Sequence, residues 1–440
     1  MTPLRRRVPV NRLCRRPALR AIFIFMLLPS SAEILAQLSG GITLGGGYSD
    51  NVFGLSTATP ASMQNAGFSL GWFSEDDSWA VGYSGDFLLV PTLPDRQFSI
   101  HSLSSSASLP IGQEEKSLLS LYASGTYRAG RDAYAVYDYS QGLVSALFKR
   151  EVLPSVRMRA GYRAKYKHYA DLPDLTHIEH YLTLGGNGAF ETKTGLDLEA
   201  ALGIKNYTGT GAVAAPVSAA LSDNGGLSVD GNGPGGGGPG NGSGGGGNGN
   251  GGKGYGGGGA TGYLENGGVP LLVSRESLAA QLLFSAALSQ SIAEGTGLSV
   301  RYRQRWNLKD RGTALIGTWI GSAAEDDLVD DPYSYESNEG AIQLTRLLPW
   351  RVRLGAGATL QARKYFYGSS LDPEVPSAAR SDLRTTAGVS LTKDLDTGWR
   401  LLTDMTVSFE YQFVRNQSNA SPYDYSAHYG GIDLEIGMGF

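Results

Sequence analysis

The stretch SWAVGYSGDFLLV, residues Ser78 to Val90, decides the fold. Trp79, Val81, Tyr83, Phe87 and Leu89 fall on one face of an extended chain, and Ala80, Gly82, Ser84 and Asp86 fall on the other. Such a segment is a strand with one apolar and one wet face. The same period of two continues outward from it. Segments begin near Gly41, Asn65, Ser78, Phe98, Ser117, Ala135, Val156, Ile178, Leu196, Ser274, Leu298, Tyr333, Arg351, Asp382, Trp399 and Ser426. Many exceed the five or six residues usual in soluble sheets and reach the roughly 9 to 11 that a tilted strand needs to cross a bilayer.

Connections alternate in length. Those after even-numbered strands are brief, as at Glu75-Asp76-Asp77, Leu348-Pro349-Trp350 and Lys393 to Gly398, while three after odd-numbered strands are long: Thr208 to Val273, Asp310 to Pro332 and Gly368 to Ser381. A soluble sandwich has no cause to segregate turns from loops, whereas an outer-membrane barrel keeps its turns in the periplasm and its loops outside. Backbone groups in hydrocarbon must all be paired within the protein, so strands cross only as a closed sheet. The expected fold is all-β: a transmembrane antiparallel up-and-down β-barrel of about sixteen strands with both termini periplasmic. Aromatic residues divide in the same way. Trp72, Phe73, Trp79, Trp350 and Trp399 lie beside short turns, and Tyr134, Tyr137, Tyr139, Tyr166, Tyr169, Tyr207, Tyr365, Phe366, Tyr367, Tyr411 and Phe413 lie toward long loops, as two headgroup-level belts would. A barrel of this size encloses more space than side chains fill, which leaves a water channel unless loops or a plug occupy it.

Among the 440 residues are 37 Lys+Arg, 41 Asp+Glu, one Cys and 62 Gly, and 41% are hydrophobic, a balance that excludes collagen, coiled coil and polar disorder. No apolar run beyond the N-terminus approaches the ~20 residues of a membrane-crossing helix. Seven arginines, from Arg5 to Arg20, precede the apolar run Ala21 to Leu28, which Pro29 ends. This is a secretory signal pattern over 1–36, with cleavage expected after Ala32 or Ala36. Cutting after Ala36 removes those seven arginines, Glu33 and Cys14, leaving 30 basic and 40 acidic residues and a charge of -10. The barrel is then 37–440. Within it, 208–273 is a long extracellular loop with a glycine-rich tract, 224–262, too poor in apolar side chains to offset its ordering entropy.

The last strand places Ile432, Leu434, Ile436 and Met438 on alternate positions and stops at Phe440. This resembles the C-terminal signal by which barrel-assembly machinery recognises outer-membrane β-barrel proteins of Gram-negative bacteria, porin-like channels among them. The resemblance implies an outer-membrane location, that machinery as a partner, and outer-membrane lipids and lipopolysaccharide around the wall. A shorter stretch, Gly47-Tyr48-Ser49-Asp50-Asn51-Val52-Phe53, is similar to a Tyr-Asp-Ser-Asn-Val-Phe segment in the first strand of various surface-assembly and exopolysaccharide-related barrels.

Two strands carry the candidate site. Val156, Met158, Ala160, Tyr162, Ala164 and Tyr166 alternate with Arg157, Arg159, Gly161, Arg163, Lys165 and Lys167. Leu298, Val300, Tyr302, Gln304 and Trp306 alternate with Ser299, Arg301, Arg303, Arg305 and Asn307, followed by Lys309. A basic ladder against lipid would cost ~2 to 4 kcal/mol per residue near the midplane, so these cations are expected inside. There they either concentrate anions or pair with inward acids such as Asp86, Asp197, Glu199, Asp404 and Glu410. The acidic loop with Glu325, Asp326, Asp327, Asp330 and Asp331 is expected as a solvated surface loop, with an inward constriction as the alternative. Catalysis has little support: Gly67-Phe68-Ser69-Leu70-Gly71 lies mid-strand without the helix of a nucleophile elbow. Gly247 to Lys253 mimics a phosphate-binding loop but lacks the Ser or Thr that would hold magnesium. No cofactor and no nucleic-acid partner are implied. The function expected is a passive, water-filled channel that favours anionic solutes. A conduit for an acidic exopolysaccharide and a barrel that anchors surface loops for binding or assembly are the alternatives.

Overall fold

The computed structural model describes residues 36–112, 116–131, 135, 137–208, 278–309, 331–368, 379–395, 398–399 and 402–439. Residues 1–35 of the expected signal peptide, the glycine-rich tract, Glu325 to Asp330 and Phe440 lie outside them. Sixteen strands follow in order: β1 (Ala36–Ser49), β2 (Ala61–Ser74), β3 (Trp79–Leu89), β4 (Phe98–Ile111), β5 (Ser117–Gly130), β6 (Tyr139–Leu153), β7 (Val156–Tyr169), β8 (His177–Phe190), β9 (Thr194–Tyr207), β10 (Leu278–Ala293), β11 (Thr296–Lys309), β12 (Tyr335–Leu348), β13 (Val352–Gly368), β14 (Ala379–Leu395), β15 (Leu402–Ser418) and β16 (Tyr425–Gly439). Each pairs antiparallel with its neighbours in sequence. β1 closes on β16, from Ser39 against Gly439 to Ser49 against Tyr429.

Residues directly opposite in an antiparallel pair share a face, so the register carries one face around the wall. Lys149, Arg159, Gly185, Glu199, Ser285, Arg303, Glu339, Gln361 and Arg384 are successive partners, and this polar row lines the interior. The opposite face exposes Ile42, Leu70, Val144, Leu184, Leu288, Ile342 and Ile432 among many large apolar side chains. An apolar belt this continuous has no place in water and is the exterior of a membrane-spanning barrel. Ile432, Leu434, Ile436 and Met438 lie on that outer face, opposite Gly46, Leu44, Ile42 and Gly40.

All short turns lie at one end. There Trp72 is on the outer face, and Trp350 and Trp399 are the most exposed of the large apolar residues. Trp350 and Arg351 both take left-handed φ, 62° and 59°, a tight turn built without glycine. Phe73 departs from the expected belt: it aligns with Gln37 and Ala80 on the inner face. In the turn after β2 the Ser74 and Ser78 hydroxyls and the Ser78 N–H hold the Asp76 carboxyl down to about 2.

At the loop end the chain folds inward. Val52, Phe53 and Leu55 pack with Ala61, Met63, Val90, Ala420 and Tyr423 into a buried cluster that joins the connections after β1, β3 and β15. Asn51 pins it across the barrel seam: its Nδ2 donates to Leu55 O at 2.7 Å and to Ser426 O at 3.2 Å. Asp50 accepts the His428 N–H at 2.7 Å. The Gly47 to Phe53 stretch thus locks the first strand to the last. Asn51→Ala is expected to cost about 1 to 3 kcal/mol, because it strands buried carbonyls; urea unfolding of the refolded barrel measures it.

Candidate functional site on the inner wall

Every ladder residue on β7 and β11 stands on the inner face as its alternation requires, except that a register shift displaces Lys309, which sits opposite Ala280. The ladders do not behave as uniform rows of free charge. On β7, Arg163 and Lys165 share one carboxylate, Glu179 of β8, at 3.6 and 2.7 Å. On β11, Arg301 and Arg303 share Glu339 of β12, at 3.8 and 3.6 Å. On β11 two cations for one carboxylate leave the cluster net positive. The Arg163 and Arg301 side chains stay 44% and 46% exposed to the lumen, while Arg157 makes no ion pair among the described residues.

Arg159 is different. It reaches over β8 to Asp197 and Glu199 of β9, at 2.6 and 2.9 Å. The intervening inner-face residue is Gly185, where a Cβ would crowd the Arg159 guanidinium. Here two acids hold one cation and the wall is stiffened. Of the five acids considered from sequence, only Asp197 and Glu199 join the ladders.

Asp86 on β3, Asp404 and Glu410 on β15, and Asp433 and Glu435 on β16 occupy the far wall. No Lys or Arg faces inward among the described strand residues of β1 to β4, β15 and β16. In a closed sheet of sixteen, β15 lies eight strands from β7 and β3 eight from β11. Basic and acidic walls therefore face each other across the lumen.

Near the loop end cations and rings interleave. Lys167 is only 2% exposed and sits 3.9 Å above the Tyr139 ring. Arg128 covers Phe98 at 4.4 Å, Lys205 approaches Tyr207 at 5.0 Å, Arg363 covers Tyr335 at 4.6 Å, and Arg380 stacks between Tyr365 and Tyr423 at 4.2 and 3.3 Å. Arg305 leans toward Tyr335 at 5.8 Å. Each such contact contributes about 0.5 to 2 kcal/mol, and Lys167 is held within this rim. Tyr139, Tyr169, Tyr207 and Tyr365 also leave the expected lipid-facing belt: they are buried inside this rim. Tyr166, Tyr411 and Phe413 do face out.

The connection before β12 ends in the lumen. Asp331 is buried, accepting from Lys205 Nζ at 2.9 Å, Tyr207 Oη at 2.6 Å and Tyr333 N at 3.1 Å. Burial works against its charge, but the Lys205 ammonium and these hydrogen bonds prevail and hold the carboxyl below its ordinary value. Tyr333 extends over β9 to donate to Glu179 at 3.4 Å. It passes above Gly203, where any Cβ would collide with its hydroxyl. Of the five loop acids, Asp331 is the one described, and it faces inward where a solvated loop was expected. The repeated strand entries Tyr137-Asp138-Tyr139, Tyr333-Ser334-Tyr335 and Tyr423-Asp424-Tyr425, each before an even strand, are the sequence signal for the rim.

No protein-family model matches this chain, and no curated protein sequence matches it. Among solved structures, Acinetobacter baumannii OccAB1 is similar at 10% identity and a TM-score of 0.46, over 94% of this chain and 100% of that one. Pseudomonas aeruginosa OpdO is similar at 10% identity and 0.45, over 92% and 97%. A bacterial polysaccharide outer membrane secretin is similar at 8% and 0.41, over 91% and 98%.

Proposed function

We propose that this chain is a passive channel of the bacterial outer membrane, loops outward and turns and termini in the periplasm, whose solute path runs along the basic wall and favours anions. The observation that carries this is the pairing of two cations, Arg301 and Arg303, with the single carboxylate of Glu339 on β11, matched on β7 by the lumen-exposed Arg163. An excess positive charge in a low-dielectric wall lowers the entry barrier for a negative solute, while contacts longer than 3.5 Å to exposed guanidiniums leave binding weak enough for release. The acidic wall opposite gives the lumen a transverse field. A solute with both charges turns its anionic end to β7 and β11 and its cationic end to β15 and β3.

Reversal potentials across a planar bilayer under a salt gradient test this. Wild type is expected to prefer chloride to potassium. Arg157, Arg163, Arg301 and Arg303 changed together to Ser are expected to lower that preference several-fold with conductance retained. Glu410→Gln with Asp433→Asn is expected to raise it. Cation preference in wild type, or no conductance, overturns the proposal.

A further inference from the structure

Four hydrogen bonds on the outer face share one geometry. Tyr83 of β3 meets His101 of β4 at 3.0 Å, Tyr162 of β7 meets His180 of β8 at 2.7 Å, and Tyr411 of β15 meets His428 of β16 at 2.8 Å. Each joins a tyrosine hydroxyl to imidazole Nδ1. Between β11 and β12 the Tyr302 hydroxyl donates to Asn338 Oδ1 at 2.8 Å. In every case the second partner is the fourth residue of its strand, counted from the loop end, and the tyrosine lies two residues toward the turns from that residue's cross-strand neighbour, Gly85, Ala164, Gln304 or Phe413. The pairs recur every fourth strand around the barrel, at one level.

Leu103, Leu182 and Ile432 follow on the outer face toward the turns; toward the loops polar Ser99, Glu336 and Ser426 stand among the aromatic and apolar Phe87, Ile178 and Trp306. With strands of mostly 14 or more residues, against the roughly 9 to 11 that the hydrocarbon requires, the upper residues stand at headgroup height. Glu336 is the one carboxylate on the outer face of the described strands; Lys364 is its cross-strand partner and Arg415 stands at the same end, while Arg150, Arg346 and Lys393 lie at the turn end.

We infer that the four pairs are stations for phosphate-bearing lipid headgroups of the loop-side leaflet. Tyr302 donates to Asn338 Oδ1, and at the three imidazoles we assign the tyrosine hydroxyl as donor to Nδ1 in the same sense. What remains to face the headgroup is a donor: Nε2–H of the imidazole, or the amide NH2 of Asn338. A protonated imidazole keeps its Nε2–H outward as well, so the station holds in both states. Tyrosine thus orients the donor as a second-layer hydrogen bond orients a metal-bound histidine. This inference rests on the outer-membrane reading and adds the ligand of its exterior.

The test is retention of lipid by the full-length refolded barrel in phosphatidylcholine vesicles doped with phosphatidic acid or with diacylglycerol, the same lipid without its phosphate. After extraction, native mass spectrometry counts the bound lipid. Wild type is expected to carry phosphatidic acid in preference to diacylglycerol. His101→Phe, His180→Phe and His428→Phe together are expected to lower its retention about tenfold, the scale of one lost charge-assisted hydrogen bond per station. Tyr83→Phe, Tyr162→Phe and Tyr411→Phe, which keep the imidazoles and release their orientation, are expected to give an intermediate loss. Equal retention of the two lipids by wild type, or unchanged retention in the histidine variant, overturns the inference. Bilayer conductance of the same preparations separates the two readings: its persistence leaves the channel standing when the stations fail.

Discussion

Asp331→Ala is expected to destabilise the barrel by about 3 to 5 kcal/mol, because it leaves the buried Lys205 ammonium without its counter-charge. The pair is closed on every side. Lys205 Nζ lies 2.9 Å from Asp331 and also near the Tyr207 and Tyr333 rings, and both charged side chains are almost wholly excluded from water. Replacing both partners with apolar residues of similar size, Lys205→Met with Asp331→Leu, is expected to recover most of the loss, since the desolvation of both charges then disappears together. Urea unfolding followed by tryptophan fluorescence measures both variants. A loss of about 1 kcal/mol or less would place the pair with exposed ion pairs instead. The dependence on pH has a definite sign. A carboxyl whose folded pKa is depressed contributes stability in full above its ordinary value of 3.8 and loses it as pH falls through the lower folded value. Wild type is therefore expected to weaken in strong acid more than Asp331→Leu with Lys205→Met does.

That pair also shows where sequence stops being informative. Alternation identified all sixteen strands, with starts no more than five residues from those observed, as at Gly41 against Ala36. It also put every cation of β7 and β11 but Lys309 on the correct face, because the face of a strand residue follows from its parity until a register shift intervenes. What each cation touches depends on register and on missing side chains two strands away. Arg159 reaches Asp197 and Glu199 only because Gly185 stands between them, and Tyr333 reaches Glu179 only because Gly203 does. Parity likewise separates Tyr166 from Lys167, but it cannot say that a ring near a strand end is drawn inward by a cation of the neighbouring strand. Hence Tyr139, Tyr169, Tyr207 and Tyr365 belong to the rim and not to the outer belt. The opposition of acidic and basic walls is legible only once sixteen is the true number, since eight strands separate β7 from β15 only in a closed ring of that size.

Two substitutions at adjacent positions are expected to part widely. Ile342 and Gln343 lie in the middle of β12, Ile342 exposed on the outer face and Gln343 opposite Ser299 and Gly357 on the inner one. Ile342→Arg puts a guanidinium near the midplane of the hydrocarbon and is expected to cost about 2 to 4 kcal/mol. Gln343→Arg puts the same group in the lumen, where Gly357 leaves room and Glu339 lies four residues along the strand. Its effect on stability is expected to be within about 0.5 kcal/mol, as for a solvated surface change. Its electrical effect runs the other way: anion preference is expected to rise with Gln343→Arg and to stay at the wild-type value in whatever fraction of Ile342→Arg folds. Urea midpoints of the refolded variants and reversal potentials in planar bilayers read the two quantities separately. Equal stability losses would mean that the two faces see the same solvent, which would defeat the membrane-spanning barrel itself. A large loss at Ile342 with no electrical change at Gln343 would keep the barrel but defeat the open lumen, because a guanidinium added to a conducting wall cannot leave its ion preference untouched.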